Sequence, residues 1–357
     1  MKQFLQRLRH WELWPFYAIY APLGFVWIFH VIRARAFWFF STVNPTLEFS
    51  GFEGENKKEM YQQLSSKYYP KTSFITANQN IKDVLQQISV EGFHYPFIVK
   101  PQVGMHGMMF RKIKNEEQIR QYHEYISVDY IVQEFVDLPM EFSVFHVRYP
   151  GEAKGKITGF IYKDYLAVTG NGSSTLLELI QQHARAHLRE EEMRHKHAHY
   201  LNSIIADGEK YYLSIAGNHN RGTRFINLSK EIDEQLCDVF DNISKEAGHF
   251  YFGRYDLKCT SVEDLKAGKN ISILEFNGVG AEPNHIYDCG MSYKDALKVI
   301  NDHWVDMYNI GRINQKKGVA YWNFWKGYKY LKKAKKYFKE LYKADLNANL
   351  NGNYTGD

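Results

Sequence analysis

Two short segments constrain this chain more than any other part of it. Gly253-Arg-Tyr-Asp256-Leu and Ile273-Leu-Glu275-Phe-Asn277 both read as strands by their aliphatic and aromatic content, yet both carry polar side chains two residues apart. On a strand, residues at that spacing share a face, so Arg254 lies beside Asp256 and Glu275 beside Asn277. A glutamate inside Ile-Leu-Glu-Phe is an awkward half-buried charge for a merely structural strand. Function explains it better. Asp256, Glu275 and Asn277 offer the hard oxygen donors that Mg²⁺ takes when it bridges carboxylates to nucleotide phosphates. Arg254 suits the charge on a phosphoryl group in transfer.

A second apolar strand, Phe97-Ile-Val-Lys100-Pro101, ends on a lysine. Such a lysine often snorkels at a sheet edge. Here it precedes Val103-Gly-Met-His-Gly-Met, where Gly104 and Gly107 let backbone N–H groups approach phosphate oxygens, so Lys100 reads as a phosphate-neutralising cation. Val132-Gln-Glu134-Phe-Val136 is an apolar strand of the kind that offers backbone groups to an adenine, and Glu134 and Glu141 are the carboxylates available for a ribose. Taken singly, each also reads as strand-end surface charge.

The 357 residues suffice for two or three packed regions, and 45% hydrophobic with 24% charged residues is a globular balance. The net charge of +5 is uneven: residues 316–345 hold ten Lys against Glu340 and Asp345, or +8, which leaves −3 elsewhere. The basic character is therefore local and does not imply nucleic-acid binding. Cys237, Cys259 and Cys289 are widely spaced, which suits a reducing, cytoplasmic setting and excludes a disulfide framework or structural zinc site. His183, His187, His195, His197 and His199 cluster among Arg and Glu and read as a solvated helical face.

Four regions follow: an aromatic helical segment over 1–50, a mixed region over 51–315, a basic amphipathic helix over 316–345 and a disordered end over 346–357. Helices are predicted over Glu55–Ser66, Ile81–Ile88, Asn115–Tyr125, Ser173–His187, Ser229–Gly248 and Tyr293–Ile310. Strands alternate with them, with hairpins at Gly104–Gly107 and, between Ile157–Tyr162 and Tyr165–Thr169, at Lys163-Asp164. The fold class is α+β. Residues 11–40 are apolar and Trp-rich but interrupted by Pro15 and Pro22, so they read either as a helical hairpin buried against the body or as an interfacial element. The basic start and Ala34-Arg-Ala36 mimic a signal peptide, and the arginines there speak against one. Residues 319–342 set aromatic residues against lysines at helical spacing, which fits packing on the body or contact with an anionic membrane.

The order IVKP, glycine-bearing loop, QEFV, GRYD, LEFN resembles the ATP-grasp superfamily, in its D-alanine–D-alanine ligase and cyanophycin-synthetase branch, over about residues 55–310. The resemblance implies an ATP-grasp fold and a ligase that uses ATP and Mg²⁺ to convert a carboxylate to an acylphosphate for attack by an amine. By resemblance, Lys100 is the phosphate lysine, with an earlier one at Lys57 or Lys58. Glu134 and Val136 are the adenine hinge, Glu141 the ribose acid, Asp256, Glu275 and Asn277 the metal ligands, and Arg254 the arginine beside the γ-phosphate. Val168–Leu179 resembles the GDGxST segment and Asn218–Thr223 an Asn-x-Ser-x-Gly-Gly loop, both lying over the reaction centre, with Arg221 an anchor and Lys163 a further phosphate contact. The chain departs from the family in lacking a Gly-Ser-Ser phosphate loop, in Asn171, and in Gly278-Val-Gly-Ala-Glu282-Pro, so the substrate does not carry over. A phosphotransferase acting on a sugar or lipid-linked substrate, and a catalytically silent nucleotide-binding module at a membrane, are the rival readings.

Overall fold

A computed structural model describes residues 11–104, 107–214, 217 and 222–350. Its strands are β1 (Thr72–Ile75), β2 (Phe97–Pro101), β3 (Arg111–Ile113), β4 (Tyr130–Glu134), β5 (Met140–Val147), β6 (Lys156–Asp164), β7 (Ala167–Thr169), β8 (Lys210–Tyr212), β9 (Arg224–Asn227), β10 (Phe252–Cys259) and β11 (Ser272–Asn277). They form three sheets, ordered β1-β4-β2-β3, β11-β10-β5-β6-β9 and β7-β8, and every pairing whose register is resolved is antiparallel. With the helices between them, this is the α+β class that the sequence indicates.

The chain divides into two interleaved units. The first holds 1–71, 136–162 and 225–338; the second holds 72–135, 163–224 and 339–357. The core of the first is aromatic: Phe39, Phe40, Phe49, Phe145 and Phe252 are buried together with Met307 and Ile310 of the long helix α1 (Tyr293–Lys316). Asn44 is fully buried among them and closes the start of β10. Its Oδ1 accepts from the N–H of Tyr251 (2.9 Å) and Phe252 (3.1 Å), and its Nδ2 donates to the Phe252 carbonyl (2.8 Å). In the second unit Leu166, Val168, Leu176, Ile180 and Leu213 form a separate core.

Several expectations change. The Lys163-Asp164 hairpin does not form: β6 pairs with β5, while β7 pairs with β8 some forty residues on. Turn composition reports only local pairing, and here the long-range partner wins. The Glu55–Ser66 helix is a single turn and a half, Lys57–Tyr61, and the helix after Ser229 starts at Glu234 because Asp233 caps it through the Leu236 N–H at 2.9 Å. The basic helix α2 (Phe324–Leu350) continues past 345, so 346–350 are helical; 351–357 lie outside the described residues.

The N-terminal stretch is no hairpin. Phe16–Tyr20, a 3₁₀ turn at Ala21–Leu23 and Gly24–Ala34 form one helical run, in which Ile19 and Leu23 are buried but Phe25, Ile28, Phe29 and Ile32 are exposed. The aromatic residues of α2 divide in the same way: Tyr330 donates to the Glu53 carbonyl at 2.7 Å, while Trp325 and Tyr328 are exposed.

Candidate functional site

The first unit gathers a charged cluster on one face of β5, β10 and β11. The antiparallel register places Asp256 opposite both Ser143 and Glu275, and Arg254 opposite Asn277. Two carboxylates directly across a strand pair repel, and the pairing needs nearby cations to persist. Arg254 supplies one: its Nε and Nη2 lie 3.3 and 3.1 Å from Asp256 Oδ2, and its Nη1 donates to the Glu282 carbonyl at 3.0 Å. Burial opposes the guanidinium charge, but Asp256, with Glu275 and Glu282, outweighs it and holds Arg254 more firmly protonated than usual.

Lys57 supplies the other cation. It is buried, and its Nζ lies 3.2 Å from Glu275 Oε1. Lys58, one residue on, is exposed. The geometry thus distinguishes two lysines that the sequence leaves as alternatives. Their helical turn is started by Asn56, whose Oδ1 caps the Lys58 N–H at 2.9 Å.

Three more residues, none of them among the candidates read from the sequence, complete the cluster. The Ser143 hydroxyl donates to Asp256 Oδ1 and accepts from Asn284 Nδ2 at 3.1 Å. Its signal was a lone hydroxyl in the apolar run of β5. Glu55 accepts the Gly278 N–H at 2.6 Å. Burial, then the charge of Glu275, push its carboxyl up to about 8 despite the Gly278 N–H, Lys57 and Arg254. Its signal is the Glu55-x-Lys57 spacing at the start of the predicted helix.

The donor set suits a hard divalent cation: the Asp256 and Glu275 carboxylates with the Asn277 amide oxygen share one face. Their present partners are internal, since Asn277 Nδ2 donates to Asp256 Oδ2 at 3.1 Å. Among the described residues no group of three or more His, Cys, Asp or Glu side chains is arranged to hold a metal ion, so this set depends on the asparagine.

Glu141, also in this unit, is buried opposite Lys258. Burial lowers the Lys258 ammonium, against the charges of Glu141 and Asp137, and Lys258 Nζ donates to the Val136 carbonyl at 3.0 Å. That carbonyl belongs to a residue of the candidate adenine hinge.

The other candidates belong to the second unit. Lys100 is half-buried on β2, opposite Ile131, and Glu134 is exposed at the end of β4. Lys163 is buried near the end of β6. Gly107 takes a left-handed φ of 71°. The hairpin beyond it is anchored by Asp345, which accepts from the Met109 N–H (2.9 Å) and from Arg111 Nη2 (3.0 Å). The segment from Asn171 to Glu178 spends its polar side chains locally: Asn171 accepts from the Ser173 and Ser174 N–H groups, and Thr175 forms a capping box with Glu178. Arg221 lies outside the described residues.

No family model matches the chain, and no curated protein matches it in sequence. Solved structures do resemble it in fold. They include a bifunctional glutathione synthetase from Pasteurella multocida (15% identity, TM-score 0.38, covering 70% of this chain and 36% of that one). A D-alanine–D-alanine ligase from Bacillus anthracis gives 12% identity and a TM-score of 0.39, covering 74% of this chain and 69% of that one. A D-Ala:D-Ser ligase from Enterococcus faecalis gives 15% and 0.40, covering 71% and 61%. All three are ligases of the ATP-grasp type. The chain thus spans about a third of the first and under two thirds of the third. At this identity and these scores the likeness carries no argument about activity, which rests on the residues themselves.

Proposed function

We propose that the protein is an ATP- and Mg²⁺-dependent ligase that joins a small carboxylic acid to an amine. The observation that supports this most is the Asp256–Glu275 pair, held opposite one another and ringed by Arg254, Lys57 and Asn277. Fold alone does not call for two facing carboxylates on a strand pair with two cations against them. A site that handles a polyphosphate does.

Asp256, Glu275 and Asn277 are the residues to hold Mg²⁺, which when bound neutralises phosphate charge. Arg254 stabilises the transferring phosphoryl group, and Arg221 anchors a substrate carboxylate or phosphate. Lys57, Lys100 and Lys163 bind phosphates, Gly104 and Gly107 leave room for them, and Glu134, Val136 and Glu141 hold the adenosine. A carboxylate oxygen attacks the γ-phosphorus and the bond to the bridging oxygen breaks, releasing ADP. The amine then attacks the acyl carbon, the bond to phosphate oxygen breaks, and inorganic phosphate leaves as the nitrogen loses a proton. The protein's part is positioning and charge neutralisation.

The test is hydroxamate formation from Mg-ATP, hydroxylamine and pools of carboxylates, beside Glu275→Gln. Hydroxamate from one pool, absent in the variant, supports the ligase. ATP turnover without hydroxamate, giving a stable phosphorylated product, replaces it with a phosphotransferase.

A further inference from the structure

The first unit contains a cavity of about 590 Å³ that the charged cluster does not use. It is lined by the N-terminal helical run, through Phe16, Tyr20, Gly24 and Trp27, and by Trp304 and Met307 of α1. The size is that of a ligand site, and the lining is mostly apolar and aromatic. Glu282 is the charged side chain in it; His303 also lines it and is kept neutral, chiefly by burial.

Two observations indicate what fills it. First, the helix that forms the wall has a bare apolar side. Phe25 and Ile32 are 72% and 70% exposed, and Ile28 and Phe29 more than half exposed. Phe16 and Tyr17 line the cavity and are themselves exposed, so cavity and bare side are continuous. Second, the bare side is edged with cations and aromatic rings. Arg33 and Arg35 are exposed at the helix end. Phe37 packs edge-on against Phe324 at 5.2 Å, leading onto exposed Trp325, Tyr328, Lys326 and Lys329 of α2. Apolar side chains between aromatic and basic ones suit an anionic lipid surface, to which exposed Lys and Arg are attracted.

We propose that this cavity binds the hydrocarbon chain of an anionic amphiphile, which enters from a membrane surface on which the N-terminal helix lies. Arg254 donates to the carbonyl of Glu282, so a hydrogen bond joins the charged cluster to a residue of the cavity wall. That the amphiphile is the acid or amine of the reaction is the one step that rests on the ligase reading.

The experiment uses the full chain without ATP, so it stands or falls independently of ligase activity. Dodecyl phosphate, kept below its micellar concentration, is titrated against tryptophan fluorescence. Gly24→Phe fills the cavity: Gly24 has helical φ and ψ, and nothing lies within 4 Å of a Cβ built on it. Saturable binding to the wild type, weakened at least tenfold in Gly24→Phe, is expected. Phe25→Glu/Phe29→Glu, which alters only the bare side, should retain dodecyl phosphate binding but lose co-sedimentation with phosphatidylglycerol vesicles. A photoreactive dodecyl chain should label the wild type within 279–283 or 300–307, a readout that needs no variant to fold. Absence of saturable binding, unchanged affinity in Gly24→Phe, or labelling confined elsewhere overturns the proposal.

Discussion

The Lys57 ammonium lies 3.2 Å from the Glu275 carboxylate, whereas the neighbouring Lys58 faces solvent. The two lysines should therefore behave differently. Lys57→Met should lower ATP turnover by about 100-fold, the size of effect seen when one preorganised charge is removed from a reaction centre. Lys58→Met should leave turnover within about twofold. Because Glu275 is a third exposed, the stability cost of Lys57→Met should be only about 1 kcal/mol. Turnover and urea unfolding of the two variants check this.

Asp256 receives Arg254, Asn277 and Ser143 while largely buried. Asp256→Asn removes the charge facing a largely buried guanidinium and should destabilise the fold by about 3 kcal/mol, as breaking a buried ion pair does. Adding Arg254→Met should recover at least about 1 kcal/mol of that, since the pair is coupled. A double-mutant cycle in urea measures it.

The backbones of Ser50–Phe52 and Gly278–Gly280 touch. Val279 and Gly280 donate to the Ser50 and Gly51 carbonyls at 3.1 and 2.9 Å. A Cβ at Gly280 would lie 2.0 Å from the Phe52 carbonyl oxygen, and one at Gly278 would lie 2.3 Å from that of Ser50. The facing turn cannot yield easily, because Phe49, Ser50 and Gly51 already hold left-handed φ values of 49°, 58° and 69°. Gly278→Ala and Gly280→Ala should each cost about 2 kcal/mol or more. Gly24→Ala, which meets nothing, should cost nothing measurable; thermal melts separate them.

Burial lowers the His285 imidazole to about 4, with Arg254 adding to the effect, and lowers His303 as well. The unfolded chain, with histidines near 6.5, then binds protons more readily than the folded one. Stability should be fully present above about pH 6.5 and fall as pH drops toward about 4, by on the order of 3 kcal/mol for His285. His285→Asn should flatten that slope. Unfolding in urea at pH 7, 6, 5 and 4 tests the sign and the size.

Much of this was legible in local pattern. The faces of Arg254–Asp256 and Glu275–Asn277 follow from the period of a strand, and the helix starts near Asn115 and within Ser173-Ser-Thr175 follow from residue types that hydrogen-bond to nearby backbone. What was not legible depends on residues far apart. Nothing near Ser143 announces that it faces Asp256 113 positions later, and nothing near Glu55 announces Gly278. The false hairpin at Lys163-Asp164 has the same cause, for β7 finds its partner in β8. The hairpin reading of the N-terminal segment fails because that segment is one helical run, buried on one side and bare on the other, a division set by what packs against it.

The interleaving of the two units has a genetic consequence. The chain passes between them after residues 71, 135, 162, 224 and 338. No single stop codon or start site can therefore release either one intact. Fragment libraries should yield insoluble pieces wherever they cut between residues 72 and 338, and a pair of fragments should regain structure only when both are supplied together.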